Sequence, residues 1–187
     1  MLAGHEHNLQ VIQLPPGSPP LVVVAGSGSG IRPVTSRSPG RRFSEADVLT
    51  LQNTLNQVRL EVWKRQPQEF FKQAILDADG TIAPTTGECK QGMDIAYNGQ
   101  WGYHLMVIAL ANTREVIYLV NRSGNRPSHE DAAPYISKAI ELLRRAGFKR
   151  ILVRGDTDFS QTKHLDGWDK AGDVTFLYGM DCRKTLL

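Results

Sequence analysis

Ala74-Ile75-Leu76-Asp77-Ala78-Asp79-Gly80-Thr81 is the stretch whose reading decides the fold, and Arg150-Ile151-Leu152-Val153-Arg154-Gly155-Asp156-Thr157-Asp158 repeats its grammar. Each starts as a short apolar run with no helical period, which reads as a buried strand, and each ends in aspartates beside a glycine. Side chains alternate along a strand, so Asp77 and Asp79 share one face, and either could serve as a ligand with the other behind it. Asp156 lies nearer its strand than Asp158. A lone aspartate in such a place is ordinarily a turn or loop end. Two acid-tipped strands mean more only if the fold makes them neighbours.

Working outward, Met93 to Tyr97 and Tyr103 to Ala111 are strand candidates around Asn98-Gly99, a strong hairpin signal, and Val116 to Asn121 follows the turn Ala111 to Arg114. These predict an antiparallel meander. Upstream, Ser44 to Gln66 reads as a helix, with Ser44 as cap, Asp47 at the capping-box position and Pro67 as its stop. Its stripe of Val48, Leu51, Leu55, Val58 and Val62 is expected to be buried against a sheet, a partner-binding face being the alternative. Downstream, Ser128 is expected to cap a helix from Glu130 to Ala146, with Ala133, Ile136, Ile140 and Leu143 on one face and Gly147 as the stop. Ser160 to Ala171 reads as a helix interrupted by Gly167, and Val174 to Tyr178 as the last strand.

The order is strand, strand, strand, helix, strand, helix, strand. It predicts an α/β, ribonuclease H-like fold: a mixed sheet whose antiparallel meander of three strands is extended by right-handed crossovers to a fourth and fifth, with helices flanking it. The first, fourth and fifth strands then run parallel. The first and fourth lie side by side, so Asp79 and Asp156 meet although 156 − 79 = 77 positions separate them.

The 187 residues, 41% hydrophobic and 22% charged, suit one folded domain. Residues 1–43 differ, carrying Pro15, Pro16, Pro19 and Pro20, then Gly26-Ser27-Gly28-Ser29-Gly30 and a basic stretch from Arg32 to Arg42. They read as a disordered arm or linker, leaving 44–187 as the folded domain. Gly26 to Gly30 is no phosphate loop, because no Gly-Lys-Ser/Thr follows. The longest apolar run near the amino end, Leu21 to Ala25, is far below the ~18 residues of a membrane span, so no membrane partner is expected. Two cysteines, Cys89 and Cys182, neither build a disulfide framework nor show zinc-site spacing, which fits a cytoplasmic location. A net charge of +3 is compatible with a polyanionic partner without identifying one.

Carboxylates on adjacent strand ends form a hard oxygen site suited to Mg²⁺ or Mn²⁺. Two such ions ~3.5 to 4 Å apart serve phosphoryl transfer by activating the attacking oxygen and stabilising the leaving one. His104, His129 and His164 show no ligand spacing and read as structural or surface groups. Trp101 and Tyr103 read as core aromatics, with stacking on a flipped base as the alternative.

Four segments in order resemble the DDE transposases of bacterial insertion sequences: Leu76-Asp77-Ala78-Asp79-Gly80-Thr81; Gly99-Gln100-Trp101-Gly102-Tyr103-His104; Asn121-Arg122-Ser123-Gly124-Asn125; and Arg154-Gly155-Asp156-Thr157-Asp158-Phe159. The resemblance covers roughly residues 70 to 182. It implies DNA transposition by metal-dependent phosphodiester cleavage and strand transfer. Asp79 and Asp156 would be catalytic metal ligands, Asp77 an auxiliary catalytic acid, and two Mg²⁺ or Mn²⁺ ions the cofactors. Arg122, Asn125, Arg126 and Arg154 would touch DNA at transposon ends, the first three being equally readable as a polar surface loop. A bacterial, nucleoid-associated protein is implied, with a homo-oligomer or a full-length copy as further partner. The family's third acid is a glutamate beyond the fifth strand; no Glu follows Asp158, and no helix-turn-helix precedes Ser44. The expectation is a truncated copy, inactive alone.

Asp77-x-Asp79-Gly80-Thr81 after Ala74-Ile75-Leu76 also resembles the first motif of haloacid dehalogenase-like phosphatases, in which Asp77 would be nucleophile and Asp79 general acid. That fold requires alternating helices and parallel strands afterwards, which Met93 to Asn121 does not offer. A noncatalytic relic that binds DNA is the third reading.

Overall fold

The computed structural model describes residues 10–12, 21–23, 44–86, 90, 92–160 and 162–179. The chain divides into two units, Met1–Ser44 with Gly87–Gln91, and Glu45–Thr86 with Gly92–Leu187. In the first unit, β1 (Gln10–Ile12) and β2 (Leu21–Val23) form an antiparallel ribbon in which Val11 faces Val22. The glycine run, the basic stretch, Cys89 and Cys182 lie outside the described residues, as does the expectation of disorder over 1–43 apart from these two strands.

The second unit carries α1 (Glu45–Trp63), a 3₁₀ turn (Gln68–Lys72), β3 (Ala74–Pro84), β4 (Asp94–Ile95), β5 (Trp101–Leu110), β6 (Glu115–Val120), α2 (Ala132–Ala146), β7 (Ile151–Gly155), a 3₁₀ turn (Thr157–Phe159), α3 (Thr162–Asp169) and β8 (Val174–Tyr178). β5 pairs antiparallel with β3, β4 and β6, whereas β3–β7 and β7–β8 are parallel. Leaving the short β4 aside, the sheet runs β6-β5-β3-β7-β8, third-second-first-fourth-fifth in chain order, which is the ribonuclease H-like arrangement expected.

Alternation sorts β3 cleanly. Ala74, Leu76 and Ala78 are buried with Met106, Ile108, Leu110, Ile151 and Val153 in one core, together with Ile136, Ala139, Ile140 and Leu143 of α2. α2 therefore buries the stripe its sequence predicts, and Gly147 ends it. Ser128 does not cap it: the helix starts after Asp131, whose side chain makes no capping bond. α3 runs through Gly167 without a break.

Two further expectations need correction. β3 does not stop at Gly80-Thr81 but continues to Pro84, because β5 is long enough to pair with it as far as Pro84↔Gly102. The apolar stripe of α1 is not buried: Val48, Leu55, Val58 and Val62 are 45, 52, 60 and 51% exposed. Leu60 and Trp63 enter the core instead, with Leu49 against it, and Trp63 packs edge-on to Phe148. Polar side chains then seat α1 on the outer edge of β6. The Gln52 amide both donates to the Leu119 carbonyl (3.1 Å) and accepts from its N–H (2.7 Å). Asn56 and Arg59 donate to the Ile117 and Val116 carbonyls. Covering an edge strand in this way satisfies backbone groups that would otherwise pair with another chain.

Candidate active site

β3 and β7 run in parallel register from Ala74↔Ile151 to Ala78↔Gly155, so Asp79 and Asp156 each follow the last paired residue. Asp79 is within its strand, yet it stands where the parallel neighbour ends. One register step earlier Asp77 lies opposite Arg154. The Arg154 guanidinium donates through Nε to Asp77 Oδ1 (2.6 Å) and through Nη2 to Oδ2 (2.8 Å), a two-pronged pair. Residues two apart on a strand share a face, so Asp79 stands beside Asp77 on the face opposite Leu76 and Ala78.

Asp156 feels its neighbours. Burial pushes its carboxyl above the usual carboxylate range, the negative charges of Asp158 and Asp79 push it further, and backbone N–H groups of Asp158 and Phe159 pull the other way. The Asp79 charge reaching Asp156 is the electrostatic trace of the juxtaposition that the register demands. Asp156 is held by its own turn: its Oδ1 accepts from the Asp158 N–H (3.0 Å), and the following 3₁₀ turn ends in Phe159, which is buried in the core. Asp156 thus caps this turn with its side chain, and Asp158 takes part through its backbone N–H, which distinguishes the two acids.

The far end of β3 is set by a close approach. A Cβ at Gly80 would lie 2.5 Å from His104 Nε2 and 3.1 Å from Ser128 Oγ, so only glycine lets the buried His104 side chain sit beside the residue after Asp79. His104 Nδ1 faces the Arg126 carbonyl. Arg122 is buried, and its guanidinium donates to the carbonyls of His104, Pro127, Ser128 and Glu130. Its expected contact with DNA is corrected accordingly: a cation already committed to four carbonyls and withdrawn from solvent is a clamp on this loop. Burial also pushes the pKa of its guanidinium below the ordinary arginine value. Asn125 donates to Asp94 Oδ2 (2.6 Å), and Arg126 pairs with Glu130, both on exposed loop surface. Arg154, the fourth expected DNA contact, is tied to Asp77. Trp101 is half exposed rather than core, while Tyr103 is partly buried.

The sequence reading missed the Asp77–Arg154 pair, although a signal was there: 154 − 77 equals 156 − 79, so a register that joins the acids also joins these opposite charges. It also missed Glu115, which takes Nε–H bonds from Arg59 (3.1 Å) and Trp63 (3.0 Å) and has no motif to mark it.

Asp79 and Asp156 offer hard oxygen donors in a locally over-negative place, which fits a divalent cation better than it fits two free carboxylates. Among the described residues no three or more His, Cys, Asp or Glu converge into a group that could hold a metal ion. A family profile described as transposase DDE domain group 1 matches residues 20–187. The chain belongs to that family. DDE transposases depend on divalent metal, which agrees with the donor set. No curated protein sequence matches the chain. Among solved structures, it is similar at 13% identity and TM-score 0.42 to the piggyBac transposase synaptic complex with hairpin DNA, covering 76% of this chain and 32% of that one. It is similar at 12% identity and TM-score 0.35 to the Mos1 transposase paired-end complex with left transposon end, covering 76% and 45%. The Mos1 mariner paired-end complex with Mn shows 16% identity and TM-score 0.32, covering 80% and 47%. The chain thus spans less than half the length of these transposases. The phosphatase reading is not favoured, since β5 pairs antiparallel with both β3 and β6 where it requires parallel crossovers.

Proposed function

We propose that this domain serves the DNA cleavage and strand-transfer chemistry of transposition, with Asp79 and Asp156 as its metal ligands. The observation that carries the reading is the register of β3 against β7, which sets two acids next to each other beyond the last paired residues. Divalent ions held there would supply charge to stabilise the attacking and leaving oxygens of a phosphodiester. Asp77 is a positioning residue, because both its oxygens are taken by Arg154, and that pair stiffens the strand face from which Asp79 projects. Asp156 is positioned by its own turn and by Phe159. Exposed Asn125 and Arg126 are suited to DNA phosphate, at the expense of their present partners. The DNA-bound transposases to which the chain is similar agree with a transposon end as substrate.

A nicking assay on supercoiled plasmid with Mn²⁺ tests the proposal. Asp79→Asn and Asp156→Asn abolish metal-dependent nicking, whereas Asp77→Asn retains a measurable part of it. Nicking that survives Asp79→Asn contradicts it; a chain that does not nick on its own agrees with the expected inactivity of the isolated copy, and the test then falls on Mn²⁺ binding, which Asp79→Asn or Asp156→Asn must weaken.

A further inference from the structure

β5 turns one polar side chain toward the core. From His104 on, its inward positions are His104, Met106, Ile108 and Leu110, all buried, and an apolar residue would pack at the first of them as it does at the other three. What the imidazole adds is a hold on the loop that carries Arg122, Asn125 and Arg126. His104 Nδ1 donates to the Arg126 carbonyl, since a carbonyl oxygen only accepts. The His104 backbone N–H donates to the Arg122 carbonyl (2.9 Å), and the His104 carbonyl accepts from Arg122 Nε (3.2 Å). The far edge of the ring rests on β3: a Cβ at Gly80 would meet His104 Nε2 at 2.5 Å and Ser128 Oγ, from the same loop, at 3.1 Å. The loop thus reaches Gly80 through two side chains on the core face of β3, while Asp79, one residue earlier, projects from the opposite face.

We propose that His104 is a positioning residue, which locks the loop bearing Asn125 and Arg126 to the strand bearing Asp79 so that phosphate contact and metal pair keep one fixed spacing. That role rests on the metal site and phosphate contact proposed above. Phosphoryl transfer needs the reacting phosphate held in a set geometry, and a contact to neighbouring backbone helps only if it cannot drift relative to the ions. Surface loops ordinarily move more than the strands they join. Arg122 removes part of that freedom, because its guanidinium closes the loop on itself at Pro127, Ser128 and Glu130 and ties it to β5 at His104. The remaining step, from β5 and the loop to the Asp79 strand, is the imidazole packed on Gly80 with Ser128 beside it. A leucine at 104 would fill the core and leave Arg126 without that tether.

Mn²⁺ titration of the full chain without DNA, and binding of a labelled duplex of arbitrary sequence without divalent ions, read the two ends of the tether separately. In wild type, Arg126→Ala lowers the slope of log affinity against log salt by about one phosphate contact. His104→Leu weakens Mn²⁺ binding by about three- to tenfold, less than the ~10- to 100-fold of losing a group bonded directly to a metal ligand. In that background Arg126→Ala no longer changes the salt slope. His104→Asn, whose amide keeps a donor for the Arg126 carbonyl, recovers both. Gly80→Ala keeps every polar partner but displaces the ring, so it weakens Mn²⁺ binding as His104→Leu does, and it decides the question if His104→Leu does not fold. Wild-type Mn²⁺ affinity in His104→Leu or Gly80→Ala overturns the inference even where the unfolding midpoint falls, because the imidazole would then be core packing alone. So does a salt slope that Arg126→Ala leaves unchanged in wild type, or changes equally beside His104→Leu. A wild type that binds no Mn²⁺ overturns the reading of Asp79 and Asp156 themselves, and the role of His104 with it.

Discussion

Breaking the Asp77–Arg154 pair is the perturbation whose size the geometry defines best. Two charge-assisted hydrogen bonds of 2.6 and 2.8 Å join the groups, but the side chains remain 40 and 38% exposed, so water and salt screen them. Exposed ion pairs contribute ~0.2 to 1 kcal/mol, and a two-pronged arginine–carboxylate geometry belongs at the upper end, so the coupling should be about 1 kcal/mol. In a chain of this size that corresponds to a fall of about 2 to 4 °C in the unfolding midpoint. A double-mutant cycle over wild type, Asp77→Asn, Arg154→Gln and the double variant, followed by urea denaturation, isolates this term. It should shrink in ~1 M salt, where the Debye length is about 3 Å. A coupling below about 0.2 kcal/mol at low salt would refute the reasoning, because Asp77 would then be free to act as a ligand itself.

The raised Asp156 fixes a pH dependence. A carboxyl whose folded value lies above its unfolded one contributes stability that is present below the unfolded value and lost as pH rises through the folded value. Asp156→Asn should therefore be slightly more stable than wild type at pH 7, by under about 1 kcal/mol after screening, and equal to it in acid; urea denaturation at both pH values checks this. Asp173 behaves oppositely. Paired with Arg144 through two 2.7 Å bonds, its carboxyl is held below the usual range, so Asp173→Asn should cost up to about 1 kcal/mol at neutral pH and nothing once pH falls below the wild-type folded value. Gly102→Ala should destabilise by about 1 to 3 kcal/mol in the same assay, since a methyl there collides with the Ala83 carbonyl and the Pro84 Cα, backbone atoms that cannot rotate aside.

The strand order was legible because β3, β5 and β7 carry the alternation and length of buried strands, and because Asn98-Gly99 marks a hairpin. The pairing of Asp79 with Asp156 followed from topology alone. The length of β3 was not legible: Gly80 looks like a break in sequence but is a point of close approach to His104, a tertiary fact. Nor was the face of α1, since a sequence with apolar residues on two sides does not say which side the sheet takes. Asn56, buried with its amide on the Ile117 carbonyl, decided that, and a polar residue is a poor signal of a core face. Arg122 misled for a related reason, as a loop arginine satisfied by carbonyls and one held out to phosphate look alike until the loop is folded.

Calorimetric titration of Mn²⁺ into wild type, Asp77→Asn, Asp79→Asn and Asp156→Asn bears most directly on whether Asp79 and Asp156 share a cation. The account predicts binding to wild type, at least tenfold weaker binding after either Asp79→Asn or Asp156→Asn, and a smaller loss in Asp77→Asn. Affinity unchanged by Asp79→Asn, or abolished only by Asp77→Asn, would contradict it.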